Sequence, residues 1–190
     1  MTINKATVRL SALAARRAMP AAARDAASAA LVDLLVPLAR GKVVAAYASM
    51  PDEPGGPDLP DALAAVADRL LLPVLRPDRD LDWALFDGTW TPGRFGLREP
   101  AGPRLGVDAL ATASLVLVPA VAVDRRGTRL GRGGGSYDRA LGRAAGTVVA
   151  VIFEPELLDW VPAEAHDVAV DAIAVPSGVI WVPSPSGPSR

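Results

Sequence analysis

Residues 114–139 read SLVLVPAVAVDRRGTRLGRGGGSYDR: an apolar run, a basic glycine-rich stretch, then a helix-compatible segment. The run 114–124 is the most strongly apolar part of the chain, and its valines suit a core strand with Pro119 at its end. Residues 125–135 carry too many glycines and charges to continue that strand, and 137–143 read as a helix. A buried strand, a ligand-type loop and a helix in that order form the building unit of an α/β sheet.

The same alternation extends through most of the chain. Apolar spacing predicts a helix over 3–18, and Met19-Pro20 breaks it. Pro20 suits the first turn of a second helix reaching about residue 35, and Gly41 stops that region. Residues 42–49 (KVVAAYAS) read as a buried strand. The prolines and glycines of 51–60 (PDEPGGPDLP) make a loop of the kind found at the carboxyl edge of α/β sheets, where ligands bind. A helix is expected over 61–69, a strand over 70–75, a hairpin or meander over 80–94, and further strands over 147–153 and 168–175. The expected architecture is α/β: a three-layer sandwich around a mainly parallel sheet, in a single domain over 1–182. The tail 183–190 (PSPSGPSR) offers nothing to pack and is expected to be disordered.

Composition narrows the function. The chain has 190 residues, 51% of them hydrophobic, which supplies a sizeable core and excludes global disorder. Twenty basic residues against 21 acidic ones leave a net charge of −1, without the basic excess of a general nucleic-acid or anionic-membrane binder. An anion must therefore be held by a local cluster. With no cysteine there is no disulfide, no thiolate metal site and no cysteine nucleophile. The uncharged run 109–123 is too short and too interrupted by Pro119 to span a bilayer. Near the N-terminus, Arg16, Arg17, Arg24 and Asp25 break what would be the apolar part of a signal peptide. A cytoplasmic monomer acting on small molecules, with no nucleic-acid or membrane partner, is the expectation.

Four features of 124–139 agree on phosphate. Gly131, Gly133, Gly134 and Gly135 permit a backbone path on which N–H groups converge on an anion. Arg129 and Arg132 add forked donors. The amino end of the following helix faces the same point. Asp138 adds a hard oxygen ligand where Mg²⁺ would accompany a phosphate; its rival role is that of an acidic residue at a helix start. No Gly-Lys-Ser/Thr follows the glycines, so this is not a Walker loop, and the spacing is wrong for a dinucleotide fingerprint. The plainer alternative is a mobile linker flanked by solvated arginines. By itself the loop names no reaction.

The stretch from Val118-Pro119 through Asp124, Arg129-Leu130-Gly131-Arg132-Gly133 and Tyr137-Asp138 resembles the signature of the 5-formyltetrahydrofolate cyclo-ligase (methenyltetrahydrofolate synthetase) family. Lys5 and Arg9 resemble its early Lys-x-x-x-Arg, residues 47–53 (YASMPDE) its folate-site strand and loop, and His166-Asp167 with Asp171 its final acidic segment. The resemblance spans residues 5–175 and implies a three-layer α/β fold, ATP as cosubstrate, Mg²⁺ and a reduced formyl folate. It implies catalytic roles for Arg129 and Arg132. ATP would be bound by Lys5, Arg9, Arg129, Gly131, Arg132, Gly133, Gly134, Gly135, Ser136 and Tyr137. The folate would meet Ala48, Glu53, Arg132, Gly133, Gly134, Gly135 and Ser136, and the metal Asp138 and Asp167.

Plainer readings stand beside these roles: Lys5 and Arg9 as helix-surface cations four apart, and Glu53 as a solvated loop carboxylate. His166, the only histidine, is read as a local hydrogen-bonding residue. Three positions depart from the family pattern. Ser136 stands where the family typically has tyrosine, Gly55-Gly56 where it tends to have an acidic residue and threonine, and Val175 where threonine is common. Two other classes stay open: a non-catalytic nucleotide or phosphate sensor, and a related α/β enzyme acting on another acyl substrate. Folate-dependent release of ADP separates them.

Overall fold

The apolar segments assemble into one sheet whose two faces are both covered, which is why its strands read as nearly continuous hydrophobic runs. The computed structural model describes residues 4–164 and 167–183. In chain order the elements are α1 (Lys5–Ala18), α2 (Ala21–Ala39), β1 (Val43–Ala45), α3 (Leu59–Ala64), β2 (Arg69–Leu75), β3 (Leu81–Leu85), β4 (Trp90–Pro92), β5 (Arg98–Pro100), β6 (Arg104–Gly106), β7 (Leu115–Pro119), β8 (Ala122–Asp124), β9 (Arg129–Leu130), α4 (Ser136–Leu141), β10 (Thr147–Val151), β11 (Leu157–Leu158), β12 (Ala172–Val175) and β13 (Gly178–Trp181). Short 3-10 turns lie at Arg94–Gly96, Val107–Thr112 and Glu154–Glu156.

The main sheet has eight strands in the order β13-β12-β10-β7-β1-β2-β3-β6. Its five central strands, β12 to β2, run parallel, while β13, β3 and β6 are antiparallel to their neighbours. Alternate residues feed two cores. Val44, Leu70, Leu72, Leu115, Leu117, Val149 and Val151 pack with Leu31 and Leu35 of α2 and Leu59 and Leu63 of α3. Ala45, Leu71, Val116, Val118, Val148 and Ala150 face the other way, onto Leu110 and onto Ala140 and Leu141 of α4. Each fully buried leucine contributes about 1.5–3 kcal/mol, against about 0–1 kcal/mol for an exposed ion pair, so the two apolar layers hold the sandwich together.

A three-stranded sheet, β11-β8-β9, carries the glycine-rich loop. Val8 and Ala12 of α1 pack on it against Val121, Ala122 and Leu130. Asn4 caps α1, its side chain accepting from Thr7 N at 2.9 Å. At the other end of the helix, buried Arg16 donates to Glu156 at 2.6 and 2.9 Å and to Ala120 O at 2.7 Å. These contacts fix the helix that carries Lys5 and Arg9.

Several expected boundaries move, each for an identifiable reason. The run 114–124 is two strands in two sheets. Pro119, which has no N–H, ends β7, and Arg16 takes the next carbonyl, so β8 begins a separate pairing. The expected meander over 80–94 divides likewise: β3 pairs with β2 and β6, while β4 pairs with β5. Helix α2 runs to Ala39 rather than 35, with Pro37 inside its last turns. The strand expected over 42–49 is only Val43–Ala45, and the chain leaves the sheet toward the cavity described below. Residues 147–153 and 168–175 shorten to β10 and β12, the helix over 61–69 is α3 at Leu59–Ala64, and that over 137–143 is α4 at Ser136–Leu141. Strand β13 was not anticipated. His166 and residues 184–190 of the tail lie outside the described residues. Among the described residues, no helix is long and apolar enough to cross a membrane.

Candidate active site

Strand order reverses between β1 and β7: from β1 the chain proceeds to β2 on one side, and from β7 to β10 and β12 on the other. Loops leaving two neighbouring strands in opposite directions open a crevice at their carboxyl ends, where α/β proteins bind ligands. A cavity of about 600 Å³ lies there, bordered by Tyr47 and Ala48 after β1, by Pro119 at the end of β7 and by Ala120 and Val121 beyond it. Every residue to which the sequence assigned a role lines it: Lys5, Arg9, Ala48, Glu53, Arg129, Gly131, Arg132, Gly133, Gly134, Gly135, Ser136, Tyr137, Asp138 and Asp167. These come from four separate parts of the chain.

The loop between β8 and α4 is built on Asp124. Its buried carboxylate accepts from the backbone N–H groups of Arg126, Thr128 and Val161 and from the Arg126 side chain. Burial would raise its pKa, but the Arg126 guanidinium and the three N–H donors outweigh burial and hold it below the usual carboxylate range. Farther on, Gly133 has φ +100°, and a Cβ there would lie 3.4 Å from the Arg9 guanidinium carbon. The left-handed backbone therefore calls for glycine, while the space would admit a Cβ in ordinary contact with Arg9. Arg9 Nε donates to Gly131 O at 2.8 Å and ties α1 to the loop. Helix α4 has only six residues, so its dipole adds less than a full helix would, and the anion-binding character rests on the arginines and the loop N–H groups.

Charged side chains pair across the cavity. Arg129, its side chain only 2% exposed, donates to Asp138 Oδ1 at 2.5 Å and to Pro119 O at 3.3 Å. Its Nε is buried with no hydrogen-bond partner among the described residues. Tyr137 lies with its ring centre 5.7 Å from the same guanidinium. Burial around its hydroxyl, then the Glu53 charge, push the Tyr137 pKa far above its ordinary value, so it acts as a neutral ring and donor. Lys5 Nζ reaches Asp167 at 2.7 and 2.8 Å and Glu164 at 3.2 Å. Burial would lower the Lys5 pKa, but these two carboxylates outweigh it and raise the value.

The loop after β1 forms the facing wall. Tyr47 Oη donates to Pro54 O at 2.6 Å, and Ser49 Oγ donates to Gly56 O. Glu53, 7% exposed, accepts from Met50 N at 3.1 Å and from Arg132 Nε at 3.0 Å. It is thus a buried carboxylate aimed at the phosphate-type loop rather than a solvated one. Arg132 Nη2 also faces Asp52 at 3.4 Å. Two departures from the family pattern find local causes. Gly55 has φ +85°, and a Cβ would strike Leu59 Cδ2 at 2.6 Å, so this turn admits only glycine. Val175 is buried in β12 within the core and does not line the cavity. Ser136 does line it.

The sequence reading missed the remaining wall: Pro73 and Leu75 of β2, Leu81 of β3, Leu97, and the cations Arg79 and Arg98. No motif marks them, because β2, β3 and β5 contribute one or two scattered residues each, which only the fold brings together. For a metal, the candidate donors are two carboxylates, Asp138 and Asp167, each held by a cation. No group of three His, Cys, Asp or Glu side chains able to hold an ion occurs among the described residues. That set fits Mg²⁺, which is commonly bound by one or two carboxylates together with substrate phosphates rather than by a full protein cage.

A known family matches most of the chain. The model of the 5-formyltetrahydrofolate cyclo-ligase family matches residues 1–176. The chain is 43% identical over 182 residues to the 5-formyltetrahydrofolate cyclo-ligase of Mycolicibacterium smegmatis, covering 91% of this chain and 94% of that one. It superposes on the 5,10-methenyltetrahydrofolate synthetase of Aquifex aeolicus with a TM-score of 0.82 at 25% identity, covering 98% and 96% of the two chains. The fold is shared as well with the Mycoplasma pneumoniae synthetase, at a TM-score of 0.71 and 20% identity over 90% of this chain and 98% of that one. With the glycine loop, its arginines and the facing carboxylate in one crevice, and with relatives matched nearly end to end, the chain belongs to the 5-formyltetrahydrofolate cyclo-ligase family.

Proposed function

We propose that this protein uses ATP and Mg²⁺ to convert 5-formyltetrahydrofolate to 5,10-methenyltetrahydrofolate, releasing ADP and phosphate. The observation that carries the proposal is the meeting, around one cavity, of a phosphate-type loop and a buried carboxylate suited to a pterin.

The formyl group on N5 is amide-like, and its oxygen leaves poorly. Attack of that oxygen on the γ-phosphorus of ATP breaks the bond to ADP and turns the oxygen into a phosphate ester. N10 then attacks the activated carbon and loses its proton, phosphate departs with the former formyl oxygen, and the ring closes. The second step is intramolecular, so the protein's task is to hold a near-attack geometry and stabilise charge. No protein nucleophile is required.

In this reading Arg129 and Arg132 meet the charge that develops on the transferring phosphoryl group, and the backbone from Gly131 to Gly135 cradles the phosphates with Lys5 and Arg9. Ser136 and Tyr137 border the nucleotide where it meets the folate. Glu53 accepts hydrogen bonds from pterin ring N–H groups beside Ala48. Asp138 and Asp167 would hold Mg²⁺, which neutralises phosphate charge when bound. The enzyme would act in the cytoplasm, as a single-domain monomer on small molecules alone.

The test follows the methenyl chromophore in a mixture of protein, ATP, Mg²⁺ and 5-formyltetrahydrofolate, with each component omitted in turn. Signal only in the complete mixture, with ADP formed in equal amount, is expected. Folate-independent ADP release, or turnover of a different acyl compound alone, contradicts the proposal.

A further inference from the structure

The cavity has a second, unassigned pair of cations. Lys5, Arg129 and Arg132 each have a carboxylate partner, whereas among the described residues none lies within ion-pair distance of the Arg79 or Arg98 guanidinium. Arg98 is nevertheless held in place. Its guanidinium carbon lies 4.0 Å from the centre of the Trp90 ring, and Nη2 donates to Pro57 O at 2.7 Å. Neighbouring Glu99 is not its counter-ion, because that carboxylate accepts from Leu75 N at 3.3 Å and faces Arg104 at 3.9 Å. A stacked, pre-oriented guanidinium with unused N–H donors suits a carboxylate. Arg79 stands in the tight turn between β2 and β3 with φ +66°, the only non-glycine residue with positive φ among those described. In the same cavity Pro73, Leu75, Leu81 and Leu97 supply an apolar wall.

We propose that Arg98, assisted by Arg79, is the specificity-determining subsite for the dicarboxylate tail of the folate, with the flat aminobenzoyl group lying along the apolar wall. This rests on the ligase reading and extends it. The cavity would then recognise three kinds of chemistry: phosphates at the glycine loop, ring N–H groups at Glu53, and carboxylates at Arg98.

Two ligands test it: 5-formyltetrahydrofolate, and the same compound with both tail carboxylates converted to carboxamides. Affinities are measured by calorimetry in the presence of a non-hydrolysable ATP analogue, for the wild type and for Arg98→Gln and Arg79→Gln. The wild type should favour the acid by about tenfold or more, and Arg98→Gln should remove most of that preference while binding the amide as before. Arg79→Gln, on an exposed turn, should reduce the preference in the same direction. Equal wild-type affinity for the two ligands overturns the proposal. So does an Arg98→Gln loss that is identical for both, which would mean that Arg98 only holds Trp90 and Pro57. Should Arg98→Gln fail to fold, an Arg79→Gln preference equal to that of the wild type overturns it. Turnover is scored separately: preference for the acid without methenyl formation refutes the ligase reading and leaves the tail subsite standing.

Discussion

Arg132 Nε donates to Glu53 Oε1 across 3.0 Å, and with the longer contact to Asp52 this ion pair joins the phosphate-type loop to the loop after β1. The two groups are assigned to different substrates in the proposed reaction. If phosphates draw on Arg132, Glu53 is released to accept from a pterin, which would couple the two sites. A non-hydrolysable ATP analogue should tighten folate binding about 5-fold or more, and folate should tighten the analogue by the same factor, as linkage requires. Calorimetric titrations in both orders measure it; independent affinities would show that the pair does not rearrange.

Arg129→Ala and Arg132→Ala should each lower turnover by roughly tenfold to a thousandfold, or ~1.4–4 kcal/mol, with much smaller effects on melting temperature. The control is Arg125→Ala. Arg125 is exposed in the same loop and does not line the cavity. Arg143 would be a poor control, since it holds Asp80 at 2.5 Å and ties α4 to the β2–β3 turn. Similar losses in all three variants would remove the loop from catalysis.

Asp138→Asn and Asp167→Asn should each raise the Mg²⁺ concentration needed for half-maximal activity at saturating ATP, because an amide keeps the shape but attracts a hard cation less. Asp138→Asn also leaves buried Arg129 without its counter-ion, so its melting temperature should fall as well. Unchanged Mg²⁺ curves would leave both aspartates with structural roles only.

Much of this was legible in the sequence, for physical reasons. Strands β2, β7, β10 and β12 are buried on both faces, so they had to be nearly uninterrupted apolar runs. The phosphate-type loop is contiguous, so its glycines and arginines are adjacent in sequence as well as in space. Glu53 was readable as a site residue only through the family resemblance, since nothing local distinguishes it from Asp52. Arg98 and Arg79 were not legible: each is one cation on a strand or turn, and only the fold brings it to the cavity. Pro119 does end a strand, β7, but nothing in the apolar run showed that the residues beyond it form β8 in a second sheet.

Stability should depend on pH through Asp124. Its native pKa is held below the ordinary value of 3.8 by the Arg126 guanidinium and three backbone N–H donors, against the opposing effect of burial. The stabilisation is therefore fully present above about pH 4 and is lost as pH falls through the lowered native value. Asp124→Asn, which cannot supply the same charge-assisted bonds, should cost about 1.5–3 kcal/mol at pH 7 and progressively less in acid. Urea midpoints at pH 7 and near pH 3 measure the difference; a gap independent of pH would mean that the carboxylate charge contributes nothing.

Ser136 is the departure from the family pattern that lies on the cavity wall, at the first residue of α4 and next to Tyr137. A serine offers little surface to a flat ring system, although its hydroxyl can donate a hydrogen bond. Tyrosine here would add an aromatic face where the glycine loop meets the proposed folate position. Such a contact contributes about 0.5–1.5 kcal/mol beyond simple area, a few-fold to about tenfold in affinity. Ser136→Tyr should therefore tighten 5-formyltetrahydrofolate and leave ATP nearly unchanged, because the nucleotide is held by Arg129, Lys5 and the loop backbone in the proposed complex. Michaelis constants for both substrates, checked by direct binding because the two quantities need not coincide, decide the matter. Loss of folate binding in the variant would show that the wall has packed around serine and that the added ring occupies the ligand's own space.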